Sequence, residues 1–191
     1  MPRLYCSSRT RLLWRLRKFA EFSKVEIVDI IIDGYNLIGS EQGLRGALEH
    51  KRHALVQQLE RYHKAKGFFI NIVFDGWKAG QFTETSQKAN GVTVIFSRQG
   101  EKADDVVVRM ARQRGSGCVV ISSDREVRKS VEKFGATAIY AGEFCEILRQ
   151  LDAPGMAEIY PDSDSGPTRA GNRFSKTERR RQDKLRKLRL R

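Results

Sequence analysis

Five aspartates stand just beyond apolar, β-branched segments of the sequence, where the strands of a parallel sheet would bring them to one edge. Asp33 directly follows a predicted strand, Asp75 ends a second, and Asp124 lies two residues after another. Asp104 and Asp105 begin the helix predicted after a further strand. Neighbouring carboxylates raise one another's pKa and destabilise a fold unless a cation neutralises them. An oxygen-only cluster is typical of Mg²⁺ or Mn²⁺ rather than zinc, so the spacing predicts a divalent-metal site.

Alternating strands and helices would position these aspartates. Apolar runs predict strands over 25–32, 68–75, 91–97, 118–122 and 136–140. Helical spacing of apolar residues predicts helices over 44–65, 103–114, 124–134 and 142–151, with a loop over 77–91. This alternation implies an α/β fold with a mainly parallel sheet and helices on both faces. The functional crevice of such a sheet lies beyond the carboxyl ends of its strands, which is where the aspartates are expected.

Each aspartate also has an ordinary structural interpretation, because Asp is common after strands as a helix cap or turn former. Asp124 can cap the helix that follows it, one of Asp104 and Asp105 can serve its helix terminus, and Asp75 can end a strand. That interpretation is weaker for the whole set, because it leaves several like charges together on one edge.

Other catalytic motifs are missing from the sequence. It has no G-x-x-x-x-G-K-[ST] segment and no G-x-G-x-x-G after a strand, so no nucleotide cofactor is expected. A G-x-S-x-G nucleophile motif is also missing. A dehalogenase-type phosphatase would need a second Asp two residues after Asp33, and that residue is Tyr35.

The net charge of +13 is concentrated at the two ends of the 191-residue chain. Residues 1–24 hold seven Lys or Arg and one acid, residues 168–191 hold eleven and two, and residues 25–167 are close to neutral. We therefore expect a basic N-terminal extension (1–24), one domain (25–152), a linker (153–167) and a basic C-terminal tail (168–191). No apolar run approaches the roughly 20 residues of a membrane span, so no membrane partner is expected.

The N-terminal extension is open to three interpretations. It is Arg-rich and acid-poor like a transit peptide, it fits a loosely helical or disordered extension, which we favour, and it also fits a mistaken start site. The three cysteines (Cys6, Cys118 and Cys145) form no C-x-x-C motif and indicate small buried residues in a reducing compartment.

Four segments together resemble the NYN domain of the YacP type, a branch of the PIN-like nuclease superfamily. They are IIIDGYNLIGS (30–40), FDG (74–76), GEKADDVVVRMA (100–111) and VVISSDREV (119–127). The resemblance covers about residues 27–151 and implies a Rossmann-like sheet of five strands in the order 3-2-1-4-5. It also implies a cytoplasmic, bacterial, metal-dependent endoribonuclease, similar to ribosome-associated enzymes that cut mRNA.

The resemblance implies roles for individual residues. Asp33, Asp105 and Asp124 would hold Mg²⁺ or Mn²⁺, while Asp104 would be either a further ligand or a helix cap. Asp75 is the least certain metal ligand of the set. Asn36, three residues after Asp33, would complete the coordination shell or hold the scissile phosphate, and its alternative role is turn formation.

Cations and hydroxyl groups near the predicted edge are expected to contact RNA: Arg98, Lys102, Ser123 and Arg125. Four residues of the tail are expected to clamp RNA or the ribosome: Arg179, Arg180, Arg181 and Lys184. The alternatives are solvated surface charges and a disordered, solubilising tail. Tyr35 and Trp77 can stack on a base, although burial is favoured for Tyr35.

Two other functions remain open at this point. A non-catalytic RNA- or ribosome-binding adaptor is disfavoured because every acid of the set is present, which a disused metal site would not require. A DNA nuclease of the same superfamily is the second alternative.

Overall fold

The computed structural model describes residues 28–76, 83–152 and 175–189 and is built on a six-stranded sheet. The strands are β1 (Asp29–Asp33), β2 (Phe69–Phe74), β3 (Thr85–Ala89), β4 (Val92–Phe96), β5 (Cys118–Ile121) and β6 (Thr137–Ile139). The helices are α1 (Gly34–Gln42), α2 (Leu48–Lys66), α3 (Ala103–Arg114), α4 (Arg125–Lys133), α5 (Ala141–Asp152) and α6 (Lys176–Leu188).

The sheet order is β3-β4-β2-β1-β5-β6. Its parallel part, β4-β2-β1-β5-β6, is the expected order of five strands, so the predicted α/β fold is confirmed. The sixth strand, β3, runs antiparallel to β4 within the segment 77–91, so the loop predicted there is wrong over Thr85–Ala89. Its side chains are polar because it is an exposed edge strand. The sequence feature that indicates this hairpin is Asn90-Gly91, a pair typical of two-residue hairpin turns, and their φ angles are positive, at 47° and 82°.

Two apolar layers cover the sheet, as the alternation of strand side chains requires. Ile30 and Ile32 of β1 face the layer built by α1, α2, α5 and α6, whereas Ile31 faces the layer built by α3 and α4. The expected helices on both faces are therefore present. Cys118 and Cys145 are buried free thiols, and burial raises the pKa of each to about 11.

Helix α6 packs on the same face as α1, α2 and α5, although its sequence had been assigned to a tail outside the domain. Leu185 and Leu188 are buried in the core, and Tyr62 Oη donates a hydrogen bond of 2.8 Å to the carbonyl oxygen of Leu188. Lys66 Nζ donates to the carbonyl oxygen of Arg189. The folded unit therefore includes this helix.

Direction along α6 follows from its two ends. Arg181 pairs with Glu143 at the start of α5, beside the carboxyl end of β6, whereas Arg189 contacts Lys66, next to the amino end of β2. The helix therefore runs from the carboxyl edge of the sheet to its amino edge, antiparallel to the strands.

Two boundaries differ from the sequence prediction. The segment after Asp33, expected to form a turn, is the helix α1, and β1 begins at Asp29. The predicted extension (1–24) and linker (153–167) lie outside the described residues, as does Cys6. Within the described ranges, no helix combines the length and apolar character that crossing a bilayer requires.

Candidate active site

Asp33 connects the end of β1 to the start of α1 and is only 4% exposed. Its Oδ1 accepts a hydrogen bond of 3.1 Å from the Asn36 backbone N–H, and its Oδ2 accepts one of 2.5 Å from Asn36 Nδ2. The first residue of the helix must be Gly34, because a Cβ there would lie 2.3 Å from Phe74 Cε1. The glycine thus lets α1 begin directly at the sheet, which fixes the Asp33 carboxylate at its edge.

Two serines link this end of β1 to the end of β5. Ser122 is buried, and its Oγ lies 3.4 Å from Asn36 Nδ2 and accepts a hydrogen bond of 3.0 Å from the Asp124 N–H. The Oγ atoms of Ser40 and Ser123 are 2.7 Å apart. These contacts join α1 to the β5–α4 connection, as the neighbouring positions of β1 and β5 allow.

Asp124 caps α4, as its ordinary structural interpretation requires. Its Oδ1 accepts hydrogen bonds from the backbone N–H groups of Glu126, at 2.6 Å, and Val127, at 3.3 Å. The cap uses one carboxylate oxygen, so the same side chain can cap the helix and present negative charge to the edge of the sheet.

Asp104 and Asp105 lie in the first turn of α3, on the other face of the sheet from α1. Burial raises the pKa of Asp104 to about 7, and its hydrogen bond with Asp33 and the charges of Asp33, Asp124 and Asp105 act in the same direction. Four of the five predicted aspartates therefore act on one another at the carboxyl edge of the sheet.

The donor atoms at this edge fit a hard divalent cation, since they are carboxylate, amide and hydroxyl oxygens. Burial is the main cause of the raised pKa of Asp104, and the neighbouring carboxylates add a repulsion that such a cation would neutralise. Among the described residues, however, no three His, Cys, Asp or Glu side chains are already arranged to bind one ion together. The carboxylate of Asp33 is hydrogen-bonded to Asn36, and that of Asp124 caps α4. The types of donor atom therefore fit a divalent cation, although both side chains are positioned as helix caps.

The sequence model of the YacP-like NYN domain matches residues 30–188, more than four fifths of the chain and including α6. The chain belongs to this family. The family is a branch of the PIN-like nuclease superfamily, as the resemblance implied.

YacP from Bacillus subtilis (strain 168) is 30% identical to this NYN protein over 87 residues, which cover 44% of this chain and 51% of YacP. The chain thus matches about half the length of that relative.

Two crystal structures of Rae1 (YacP) from Bacillus subtilis share the fold. The structure of a tryptophan-to-leucine mutant has a TM-score of 0.54 at 22% identity, covering 65% of this chain and 77% of the other. The second structure has a TM-score of 0.52 at 24% identity, covering 65% and 75%.

Asp75 stands apart from the other four aspartates predicted to form the site. Ser97 Oγ lies 3.4 Å from Asp75 Oδ1, donates to the Glu101 carbonyl oxygen at 2.8 Å and accepts from the Gly76 N–H at 3.0 Å. The carboxylates that raise the pKa of Asp104 are Asp33, Asp124 and Asp105. The structure therefore describes Asp75 as part of a strand-ending turn with Ser97.

An open cavity of about 500 Å³ adjoins Asp105 and is lined also by Arg98, Gln99, Gly100 and Glu101. Arg98 Nε lies 3.2 Å from Glu101 Oε2, and the Arg98 side chain is 67% exposed. Among the other predicted RNA contacts on this edge, Lys102 and Arg125 are exposed at the starts of α3 and α4. Three exposed cations thus lie on the same edge of the sheet as the predicted aspartates.

The four predicted contacts of the tail divide into two groups. Arg179 and Arg180 are exposed on α6. Arg181 is half-buried and pairs with Glu143, at 2.5 Å, and Glu178, at 3.3 Å, so it holds α6 to the domain. Lys184 is half-buried beside the core leucine Leu185.

Two further expectations concern aromatic residues. Tyr35 is buried edge-to-face against Phe74, with ring centres 5.3 Å apart, so the favoured burial is confirmed. Trp77 lies outside the described residues. Ser40 was missed: once α1 is recognised, its spacing of four residues from Asn36 brings it to the same face of the helix.

Proposed function

We propose that this NYN domain is a metal-dependent endoribonuclease that hydrolyses RNA phosphodiester bonds. The observation that carries the proposal is the group of four aspartates at the carboxyl edge, where burial and, after it, the neighbouring carboxylates raise the pKa of Asp104 to about 7. An edge of this kind supports cation binding, and the surrounding exposed cations suit a polyanionic substrate. Membership of a PIN-like nuclease family supports the same activity.

Asp33, Asp105 and Asp124 would hold the ion, which is Mg²⁺ or Mn²⁺ by the all-oxygen donor set. The bound ion would supply a water of lowered pKa and neutralise charge that develops on the phosphate. Asn36 orients Asp33 through two hydrogen bonds, and Ser122 holds the Asp124 backbone. These neutral groups position the carboxylates without adding charge.

Without a bound cation, Asp104 is partly protonated near neutral pH, because burial and, to a lesser extent, three neighbouring carboxylates disfavour its charged form. It shares a hydrogen bond with Asp33 and therefore reduces repulsion at the edge. Lys102 and Arg125, exposed at the starts of α3 and α4, would attract the RNA backbone.

The more specific substrate is mRNA at the ribosome in the bacterial cytoplasm, which we propose from the family. The exposed cations Arg179 and Arg180 near the carboxyl edge support an extended polyanion rather than a small phosphate ester.

Cleavage of single-stranded RNA and single-stranded DNA of the same sequence tests the activity. We expect the full chain to cut RNA in Mg²⁺ or Mn²⁺ and not in EDTA. Asp33→Asn and Asp124→Asn should each lower the rate about 100-fold or more, because each removes a carboxylate that would hold the metal ion.

Asp183→Asn is the matched control, since Asp183 is an exposed carboxylate of α6 that pairs with Arg186. It should retain the unmodified rate. Cleavage in EDTA, or full activity of Asp33→Asn and Asp124→Asn, would contradict the proposal; cutting of DNA alone would assign a DNA nuclease, and RNA binding without cleavage an adaptor.

A further inference from the structure

Three exposed aromatic rings in the described part of the chain have a cation 5.6–5.9 Å from the ring centre: Phe69 with Lys88, Phe134 with Arg112, and Tyr140 with Arg128. Phe69 begins β2 and Phe134 precedes β6, so both lie at the amino edge of the sheet. Tyr140 directly follows β6 and lies at the carboxyl edge, together with the candidate active site. It is 43% exposed.

The strand that precedes Tyr140 is the neighbour of the strand that leads into the active site. Ser122, directly after β5, donates its backbone N–H to the carbonyl oxygen of Ile139 at 3.3 Å. The Oγ of Ser122 also holds the Asp124 N–H. Because paired strands lie about 4.8 Å apart, the Tyr140 backbone stands one strand away from Ser122 and Asp124.

The Tyr140 ring has a cation, Arg128, 5.6 Å from its centre. Arg128 lies one helical turn after Asp124 on α4, and its Nε is buried with no hydrogen-bond partner in the part of the chain described. Glu143 accepts a hydrogen bond of 3.3 Å from the Tyr140 N–H and is paired with Arg181. The local carboxylate is therefore neutralised within the fold, and the Arg128 charge faces the ring.

Packing at the start of α5 fixes the orientation of the ring. A Cβ at residue 142 would lie 2.7 Å from Tyr140 Cε1, so Gly142 allows the ring to lie against the helix. An exposed ring held in one orientation loses little conformational entropy when a ligand stacks on it.

We propose that Tyr140 stacks on a nucleobase of single-stranded RNA, and that Arg128 contacts the adjoining phosphate. We call Tyr140 and Arg128 together the platform. The occupant is a nucleic acid strand because the platform combines an aromatic face with a cation that has no carboxylate partner among the described residues, beside the carboxyl edge. The proposal rests on the ribonuclease function proposed above. It adds a binding position for a nucleotide next to the phosphodiester bond that is cut.

Binding of a short 5′-fluorescein-labelled single-stranded RNA, measured by anisotropy in EDTA, tests the platform without cleavage. Tyr140→Ala should raise the Kd about 5- to 150-fold, the range found for loss of a stacked base. Tyr140→Phe should bind like the unmodified chain, because stacking needs the ring and not the hydroxyl. In cleavage assays Tyr140→Ala should raise KM and leave kcat at saturating RNA unchanged.

Phe69→Ala is the matched control, since it removes an equally exposed ring under a cation at the opposite edge. It should leave the Kd unchanged. A series of RNAs with one abasic nucleotide each should show a single sensitive position in the unmodified chain and none in Tyr140→Ala.

Unchanged binding by Tyr140→Ala, or equal weakening by Phe69→Ala, would overturn the platform while RNA cleavage by the unmodified chain leaves the ribonuclease function intact. A chain that neither binds nor cuts RNA would overturn both. Thermal denaturation of Tyr140→Ala and Tyr140→Phe identifies any loss that comes from unfolding.

Discussion

Asn36 contacts the candidate active site through both its side chain and its backbone. Its Nδ2 donates to Asp33 Oδ2 at 2.5 Å and lies 3.4 Å from Ser122 Oγ, so it joins the carboxyl ends of β1 and β5. Its own backbone N–H also donates to Asp33, which begins α1. Asn36 thus lies in the first turn of α1 rather than in the expected loop turn, and its role towards a metal ion or a phosphate stays a prediction.

Asp104 should make the stability of the metal-free protein depend on pH. Its pKa is raised from an ordinary 3.8 to about 7, mainly by burial, so the unfolded chain loses this proton at lower pH than the folded one. The stabilisation is fully present below pH 4 and is lost as pH rises through 7. Asp104→Asn should therefore raise the Tm in EDTA at about pH 8 and have progressively less effect towards about pH 4.

Circular-dichroism melts between about pH 4 and pH 8 measure this difference in Tm. Asp183→Asn, on the exposed face of α6, should show no comparable trend. A difference between Asp104→Asn and the unmodified chain that stays constant with pH would contradict the assigned cause.

Among the elements, α6 differs most from what its sequence indicates. Two leucines three residues apart, Leu185 and Leu188, bury it against Tyr62 and Phe144 in the core. We expect Leu188→Ala to lower the free energy of unfolding by about 2 kcal/mol or more, because Leu188 is fully buried. Leu44→Ala should change it little, since Leu44 is 45% exposed. Urea unfolding measures both; equal midpoints would show that α6 is not docked.

The sequence predicted elements to the extent that their residues carry a periodic apolar signal. The parallel strands were recognisable because they are buried on both faces and read as continuous Val and Ile runs. Strand β3 was not, because its exposed residues have no apolar alternation, and α1 was not, because Gly34 and Gly39 weaken its helical pattern.

The candidate active site likewise has residues that the sequence predicts and contacts that it does not. The aspartates were predictable because strand ends fix their positions along the chain. The contacts Ser40–Ser123 and Arg181–Glu143 were not, because they join residues far apart in sequence through side-chain positions that only packing determines.

At the scale of the whole molecule, the described residues bring charges of both signs to the carboxyl edge of the sheet. Four aspartates lie together there, Arg98, Lys102 and Arg125 are exposed on the same edge, and α6 brings Arg179 and Arg180 towards it. In the proposed function, the exposed cations would hold an RNA strand, and the aspartates would form the centre at which it is cut.

Salt dependence of RNA binding tests this arrangement. The double variant Arg179→Gln, Arg180→Gln should lower the slope of log Kd against log salt by about 1.4, since each phosphate contact on a single strand contributes about 0.7. Lys64→Gln with Lys133→Gln removes the same charge at the amino edge and should leave the slope unchanged. An unchanged slope for the Arg179 and Arg180 variant would contradict a role for α6 in binding.

The docking of α6 also determines how this protein can be dissected. A chain shortened after α5 would lose the partner of Tyr62 Oη and of Glu143, and would expose apolar side chains that Leu185 and Leu188 cover. If such a fragment bound RNA weakly, the cause could be either the disturbed core or the loss of the cations of α6. Point substitutions on the outer face of α6 separate the two effects, whereas truncation combines them.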